Sequence, residues 1–545
     1  MKASKRKLWH VSTSMLLVLA MGLVMVLSGC GGKNNGGDSQ ASQSTNPATV
    51  EPTSGGSSPT PEQPEEKTKI SMMVVLNGSE GAPDKDGPFQ TELEKLTNTE
   101  LDINWVPSPV YFDKLSVAIS ADKLPDITMP TNMKEGAILN AIRNGVFWEI
   151  GPYLKDYPNL NQFSPAVLAN ASVDGKLYGL PRLRQLSRVG VVYRKDWADK
   201  LNLQPPASME DVRNMAEAFV KNDPDKTGNT GLADTSSLLI DTAFPPSPEI
   251  YFGGPNKWGV KDGIVTPSFM YDEYFAAMKW FKDMYDHGYM NKDFALTNAN
   301  QRMELLNKGK AGLMLGNTSD VNKMTALLAE KQAKDPNVKL EDFMGISVFK
   351  DAGGNYAPTA AGDGYYGEIL INKKTVKTEE QLRKILAFFD KISSEEGQNL
   401  FYWGIDGVHY EMVDGKRART DATNAMYKKE ISNFLSVGVF QQDFTSAANK
   451  VTLGAMSGFA GLEIELHKEL AKVAIPNVTA PFLSETYTKE GAELSKIWQD
   501  GVFQFIMGNI DEKGWNDLKD QWLKRGGQKI IDEYTAAYNQ AQSSK

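Results

Sequence analysis

Ile70-Ser71-Met72-Met73-Val74-Val75-Leu76 is a nearly unbroken apolar run. At this length, rich in Val and Met and followed by Asn77-Gly78-Ser79-Glu80-Gly81, it predicts a strand buried on both faces. Downstream, Phe89 to Leu96 reads as a helix and Leu101 to Trp105 alternates as a second strand; Pro125 to Met129 reads as a third. Strand, helix, strand in this rhythm predicts an α/β fold built on a parallel sheet.

A second unit opens at Val189-Gly190-Val191-Val192-Tyr193. Ser208 is placed to cap a helix whose Val212, Met215, Ala216 and Phe219 share one face. Phe275, Met278 and Phe281 mark a further helix that Gly288 can end. The chain then returns to a short strand, Glu368 to Asn372, followed by the capping box Thr378-Glu379-Glu380-Gln381 and a buried stripe of Leu382, Ile385, Leu386 and Phe389. Trp515 to Tyr538 is expected to be helical. A chain of 545 residues is too long for one simple core, so two lobes are expected.

The N-terminal segment has three parts. Lys2, Lys5, Arg6 and Lys7 form a basic start, Met15 to Leu27 is apolar, and small residues lead into Cys30, the single cysteine of the sequence. This is the pattern of a signal peptide over 1–29, too short to persist as a membrane helix. Val26-Leu27-Ser28-Gly29-Cys30 resembles the lipobox of bacterial lipoproteins, which implies cleavage before Cys30 and lipid attachment to its thiol. With that thiol used, no disulfide, thiolate metal site or cysteine nucleophile remains. Residues 31–67 are Gly, Ser, Asn, Gln, Pro, Thr and Glu with almost nothing apolar. They cannot bury a core and read as a flexible tether reaching roughly 30–35 Å. The formal net charge is −9, and the segment beyond the basic leader is more acidic still. Such a chain carries no electrostatic footprint for nucleic acid and does not lie on an anionic membrane surface.

Several motifs together resemble one family. They are Leu124-Pro125-Asp126-Ile127, Leu177-Tyr178-Gly179-Leu180-Pro181, Tyr193-Arg194-Lys195-Asp196-Trp197, Gly254-Pro255-Asn256-Lys257-Trp258-Gly259-Val260 and Gly404-Ile405-Asp406-Gly407-Val408-His409-Tyr410. In this order they resemble extracellular solute-binding proteins of ABC sugar importers, nearest to the large Gram-positive lipoprotein subgroup, which is also similar to alginate-oligosaccharide-binding proteins. The resemblance implies a class II periplasmic-binding-protein-like fold: two α/β lobes, crossing segments, and solute in the cleft between lobes. It implies handover to an ABC permease, with the protein lipid-anchored on the outer face of the cell membrane. The expected lobes are 68–187 with 363–410, and 188–362 with 411–545. A monomer is expected. No Gly-x-x-x-x-Gly-Lys-Ser/Thr loop occurs, so the chain carries no ATPase of its own.

Two candidate sites stand out. A sugar offers apolar C–H faces fringed by hydroxyls, so its site needs flat rings and planar polar groups. In predicted loops or crossings, Tyr178, Trp258, Tyr365, Trp403 and Tyr410 supply rings and Arg182 a planar cation; Asn77 and Glu80 follow the first strand, where α/β sheets bind ligands. Any one of these rings serves a core more often than a ligand. Asp223, Asp225, Thr227, the Asn229 carbonyl and Asp234 have the spacing of a calcium loop, with Gly228 at the turn. Thr stands at the fifth position and Asp at the twelfth, and the same residues suit a solvated Asp-Pro turn. No cofactor is required; structural calcium is the one the sequence offers.

No HExxH, GxSxG or spaced carboxylate pair appears. Taken with the family resemblance, which implies solute binding for a sugar importer, this makes capture of a carbohydrate-like solute without catalysis the expected function. A surface lipoprotein that degrades polysaccharide, and the same fold binding a peptide or other small solute, are the competing readings.

Overall fold

The computed structural model describes residues 66–77, 81–233, 247–454, 456 and 458–543. The leader, Cys30, the tether as far as residue 65, Glu80 and Asp234 lie outside the described residues. The strands are β1 (Thr68–Leu76), β2 (Thr99–Pro107), β3 (Ile127–Thr128), β4 (Gly179–Leu183), β5 (Val189–Arg194), β6 (Trp258–Lys261), β7 (Ile264–Pro267), β8 (Leu313–Asn317), β9 (Met344–Ser347), β10 (Thr359–Ala360) and β11 (Tyr365–Ile371).

The apolar run that opens the fold behaves as a doubly covered strand. Ile70, Met72 and Val74 of β1 face one core with Phe89 and Leu93 of the helix Pro88–Thr97 and with Leu382, Leu386 and Phe389. Met73 and Val75 face the other side, against Tyr111, Leu115, Ile138 and Ile142. The period-two alternation of a strand sends neighbours to opposite faces, and helices cover both. Thr378 caps the helix Glu379–Ile392 through the expected box with Gln381.

The first sheet has the order β2-β1-β3-β11-β4. β1 runs parallel to β2 and β3, as expected, but β11 is antiparallel to both β3 and β4. The second sheet, β8-β5-β9, likewise has an antiparallel centre: β5 opposes both neighbours. The wholly parallel sheet expected from the rhythm is thus mixed. β11 enters after a crossing from the other lobe, so no right-handed βαβ step dictates its direction.

Two sets of cores define two lobes. The first gathers residues between Ile70 and Leu183 and again between Ile369 and Ala448. The second gathers residues between Val191 and Phe349 and again between Phe459 and Tyr534. The chain crosses at 184–188, between Phe349 and Tyr365, and after Ala448. The last crossing lies later than the expected 410/411 boundary. Ile431, Phe434, Val437, Val439 and Phe440 belong to the first core, where the Phe434 ring lies 4.9 Å from Phe89 and 5.1 Å from Trp105. This stretch turns through short helical pieces, so its apolar residues show no helical period to assign them.

The C-terminal part is helical but not continuous. Glu512–Trp522 and Gln528–Ser543 are separated by a wide turn at Leu523–Gly527. Gly526 has φ 139°, and a Cβ on Gly527 would sit 2.1 Å from the Trp522 ring. Both positions require glycine for this turn.

Candidate ligand cleft

All strands of the first sheet end at one edge in a way that builds a wall. β1 and β3 arrive with their C-termini; antiparallel β11 starts there with Tyr365; β4 leaves there toward the crossing at 184–188. Crevices outside strand ends are where open α/β sheets bind ligands. A cavity of about 810 Å³ lies against this edge, between the two lobes. The first lobe contributes 131–136, following β3, and 363–368, at the start of β11. The second lobe contributes Trp258 on β6, Glu249, residues of 477–484, and Tyr487 and Trp498 from the helix Glu485–Ile506.

Rings and ionic groups alternate around this space. The Trp258 ring packs edge-on to Tyr534 at 5.0 Å, and Trp498 stacks on Phe269 at 4.9 Å with an interplanar angle of 12°. Tyr365 is half-buried, its hydroxyl donating to the Asn170 carbonyl at 3.1 Å, while Tyr366 stays 47% exposed. The Lys134 ammonium, on the first lobe, donates to the Ala480 carbonyl of the second. Arg143 holds Asp174 of its own lobe at 2.9 and 3.1 Å and reaches Glu485 of the other at 2.7 Å. These contacts bring the lobes together at the cavity.

Two cavity acids are held away from their ordinary state. Burial pushes Glu368 up to about 7, against the pull of Tyr365, Lys134 and Arg182 and helped by Asp363. Burial likewise pushes Glu249 up to about 7, opposed by bonds to its backbone and Ser268 and by Lys257. Each is buried with one carboxylate oxygen unpartnered. A raised pKa means the folded state prefers the proton. The contribution of Glu368 is complete below its ordinary value of 4.5 and is lost as pH rises through about 7. Glu368→Gln, which mimics the protonated form, should therefore stabilise the protein at pH 8 by up to about 3 kcal/mol, and that gain should shrink toward nothing near pH 5. Thermal melts of parent and variant across this range check it; a gain independent of pH would contradict it.

The expected site residues divide. Trp258 and Tyr365 line the cavity. Arg182 is buried in the wall behind them, its Nη1 donating to the Ser436 carbonyl at 2.8 Å. Asn77 donates to the Ser436 hydroxyl at 3.3 Å, which joins it to the Arg182 neighbourhood rather than to the cavity lining. Tyr178 is half-buried against the first lobe's second core and is not a lining residue. Trp403 and Tyr410 line a different pocket, of about 480 Å³, with Glu395, Glu396 and Arg417, which shares no residue with the cleft. Trp403 is held there by its Nε1 bond to the Thr452 carbonyl at 2.8 Å. His409 is a packing residue, fully buried and 3.1 Å from Glu430. Sequence reasoning missed Lys134, Glu249, Tyr487 and Trp498, and it did not single out Glu368, the one acid within β11.

The calcium-loop residues do not converge as the spacing suggested. The Asp223 carboxylate accepts from the backbone N–H groups of Thr227 and Gly228 at 3.0 and 2.9 Å and from the Asn229 amide at 3.0 Å. Asp225 turns elsewhere, to Arg194 at 2.7 Å, Trp197 Nε1 at 2.8 Å and Lys200 at 3.2 Å. Burial would raise Asp225, but these donors bring it down to about 2. The Thr227 hydroxyl donates to the Gly309 carbonyl at 2.5 Å. Among the described residues no three His, Cys, Asp or Glu side chains gather as a metal site. Asp225 therefore does not fit the ligand role given to it: the cation beside it is Arg194.

Comparison with known proteins places this architecture. The family described as bacterial extracellular solute-binding protein matches residues 80–399. The polygalacturonan/rhamnogalacturonan-binding protein YtcQ of Bacillus subtilis (strain 168) is 36% identical over 98% of this chain and 99% of its own length. Lipoprotein LipO of the same organism is 33% identical over 88% of this chain and 93% of its own. The crystal structure of the alginate-binding protein AlgQ2 without calcium ion shares the fold, with a TM-score of 0.61 at 19% identity, over 87% of this chain and 98% of that one. The chain belongs to the bacterial extracellular solute-binding protein family. Its fold is the two-lobed α/β fold of that family.

Proposed function

We propose that the cleft captures an oligosaccharide and delivers it to an ABC permease. The observation that carries this reading is the cavity between the lobes, with Trp258 and Trp498 from one lobe and Tyr365 and Tyr366 from the other. Rings on two opposed walls suit the two apolar faces of a sugar chain, and the polar groups between them suit its hydroxyls. Closing both lobes on one ligand shields it from water, and the ligand favours closure by binding the closed form better. The name of the relative YtcQ makes oligosaccharides of polygalacturonan and rhamnogalacturonan, the polymers of pectin, the first solutes to try. Thermal-shift screening against oligosaccharides tests the reading, since a ligand of the folded state alone raises the melting temperature.

Glu249 and Glu368 are the one feature a hydrolase would share, because a general acid also needs a raised carboxyl. They belong to different lobes, and each is buried. Binding without catalysis predicts that an oligosaccharide recovered after long incubation has its original length; shorter products would favour the enzyme.

The leader and the lipoprotein relative support a lipid anchor at Cys30. Cys30→Ser should yield protein without lipid, either uncleaved or released from the membrane. Metabolic labelling with a fatty acid checks this; equal label on the variant would remove the anchor from the account.

A further inference from the structure

The chain between Ile475 and Glu485 starts and ends on the second lobe's side but touches the first lobe on the way. Ala474 and Ile475 pair in parallel with Thr359 and Ala360, beside the crossing that leads to β11. The helix Glu485–Ile506 then enters the second lobe's core through Leu494, Trp498 and Val502. Between these anchors the strap alternates its faces. Val478 and Phe482 pack on the second lobe's core, with the Phe482 ring 6.4 Å from Tyr538. Leu483, the next residue, packs instead on the first lobe's core, the one that holds Ile138, Leu139 and Ile142 of the helix Gly136–Arg143. Both flanks of that helix grip the same strap: Lys134 donates to the Ala480 carbonyl, and Arg143 reaches Glu485 at 2.7 Å.

The strap is stiff. Pro476 and Pro481 fix two of its φ angles. The Asn477 side chain accepts from the Thr479 N–H at 3.1 Å and from its hydroxyl at 2.9 Å, and the Phe482 N–H donates to the Thr479 carbonyl at 2.9 Å. The far end is tied to the second lobe by Glu533, which accepts from the Ser484 hydroxyl at 2.5 Å and from the Thr486 N–H and hydroxyl at 3.0 and 2.8 Å. A strap held this way cannot stretch as the lobes part, so opening must pull Leu483 and Glu485 off the first lobe. The two contacts differ in weight. Arg143 and Glu485 are 33% and 52% exposed, and a pair in such contact with water contributes a few-fold at most. Leu483 removes apolar surface from water and is the larger contribution.

We infer that residues 476–485 are a latch: the chain's own contacts hold the two lobes closed on this side of the cleft, and a solute enters or leaves only when the latch releases. Closure is then a state the protein reaches without its solute, and the solute selects it. The strap also lines the cavity, as do Tyr487 and Trp498 of the helix it feeds. Docking Leu483 on the first lobe therefore sets that wall in place before a solute arrives.

The test uses no solute, so it stands or falls apart from the identity of the ligand. Cys30 is the single cysteine, so Cys30→Ser with Lys95→Cys and Lys513→Cys takes one spin label on each lobe. Lys95 is 74% exposed on the first-lobe helix Pro88–Thr97, and Lys513 is 81% exposed on the second-lobe helix Glu512–Trp522. Pulsed electron–electron resonance should give one narrow distance distribution for this parent. Leu483→Asp sets a charge against the first lobe's core and should raise the ratio of open to closed protein about ten- to a hundredfold, seen as a second, displaced population. Leu483→Ala with Arg143→Gln removes both contacts without adding a charge; it should raise the ratio about tenfold and decides the matter if Leu483→Asp fails to fold by circular dichroism. Two populations in the parent, or a folded variant with the parent's single distribution, would overturn the latch.

Discussion

Trp258→Ala should weaken oligosaccharide binding about ten- to a hundredfold without unfolding the protein. Trp258 is half-buried at the start of β6, wedged against Tyr534, with part of its surface on the cavity. Losing the stacking face of a ring costs about 1–3 kcal/mol, which is that range in dissociation constant. The fold should survive, because Tyr534 stays packed against Tyr487 and the second lobe's core is carried by fully buried residues such as Trp197, Phe219 and Phe281. Calorimetry on the variant, with circular dichroism to confirm folding, checks the expectation. An unchanged affinity would place the solute elsewhere, even with the family assignment intact.

Asp225→Ala should destabilise the second lobe by about 2–3 kcal/mol, and excess chelator should leave that loss unaltered. Arg194 is 1% exposed and lies between Asp196, at 2.7 and 2.8 Å, and Asp225, at 2.7 Å, with its guanidinium 4.4 Å above the Trp197 ring. Removing Asp225 strips one carboxylate from a buried cation and leaves the Trp197 N–H without its acceptor. Breaking one side of a buried pair is costly because the other charge stays behind; Asp196 and partial solvent access at Asp225 keep the cost below the usual upper range. Thermal melts with and without chelator give the answer. If chelation alone lowers the parent's melting temperature and Asp225→Ala abolishes the response, a cation and not Arg194 closes the loop.

What the sequence disclosed was local. The β1 run, the Thr378 box and the Ser208 cap lie within a few residues of the structure they specify, and each forms as the spacing predicts. What it concealed was long-range. The direction of β11 depends on which lobe the chain returns from, and the place of Phe434 depends on Phe89 and Trp105, hundreds of residues earlier. The site shows the same division. Trp258 and Tyr365 were visible as rings in loops, but nothing in ring density separates them from Trp403 and Tyr410, which a hairpin at Glu411–Val413 and Lys416–Ala418 gathers into another pocket. Arg182 was visible as a planar cation in a crossing segment; its burial on β4, packed against the backbone of Gly367 from β11, was not. The Asp223 loop had a metal's spacing, yet Arg194, some thirty residues earlier and on another element, occupies Asp225.

The central claim is that the two lobes close on an intact oligosaccharide. The most direct measurement is titration calorimetry of the mature protein against size-fractionated pectin oligosaccharides, followed by mass spectrometry of the recovered ligand. The account predicts saturable one-to-one binding of at least one fraction, with the ligand returned at its original length. No binding of any fraction, or ligand returned as shorter fragments, would contradict it.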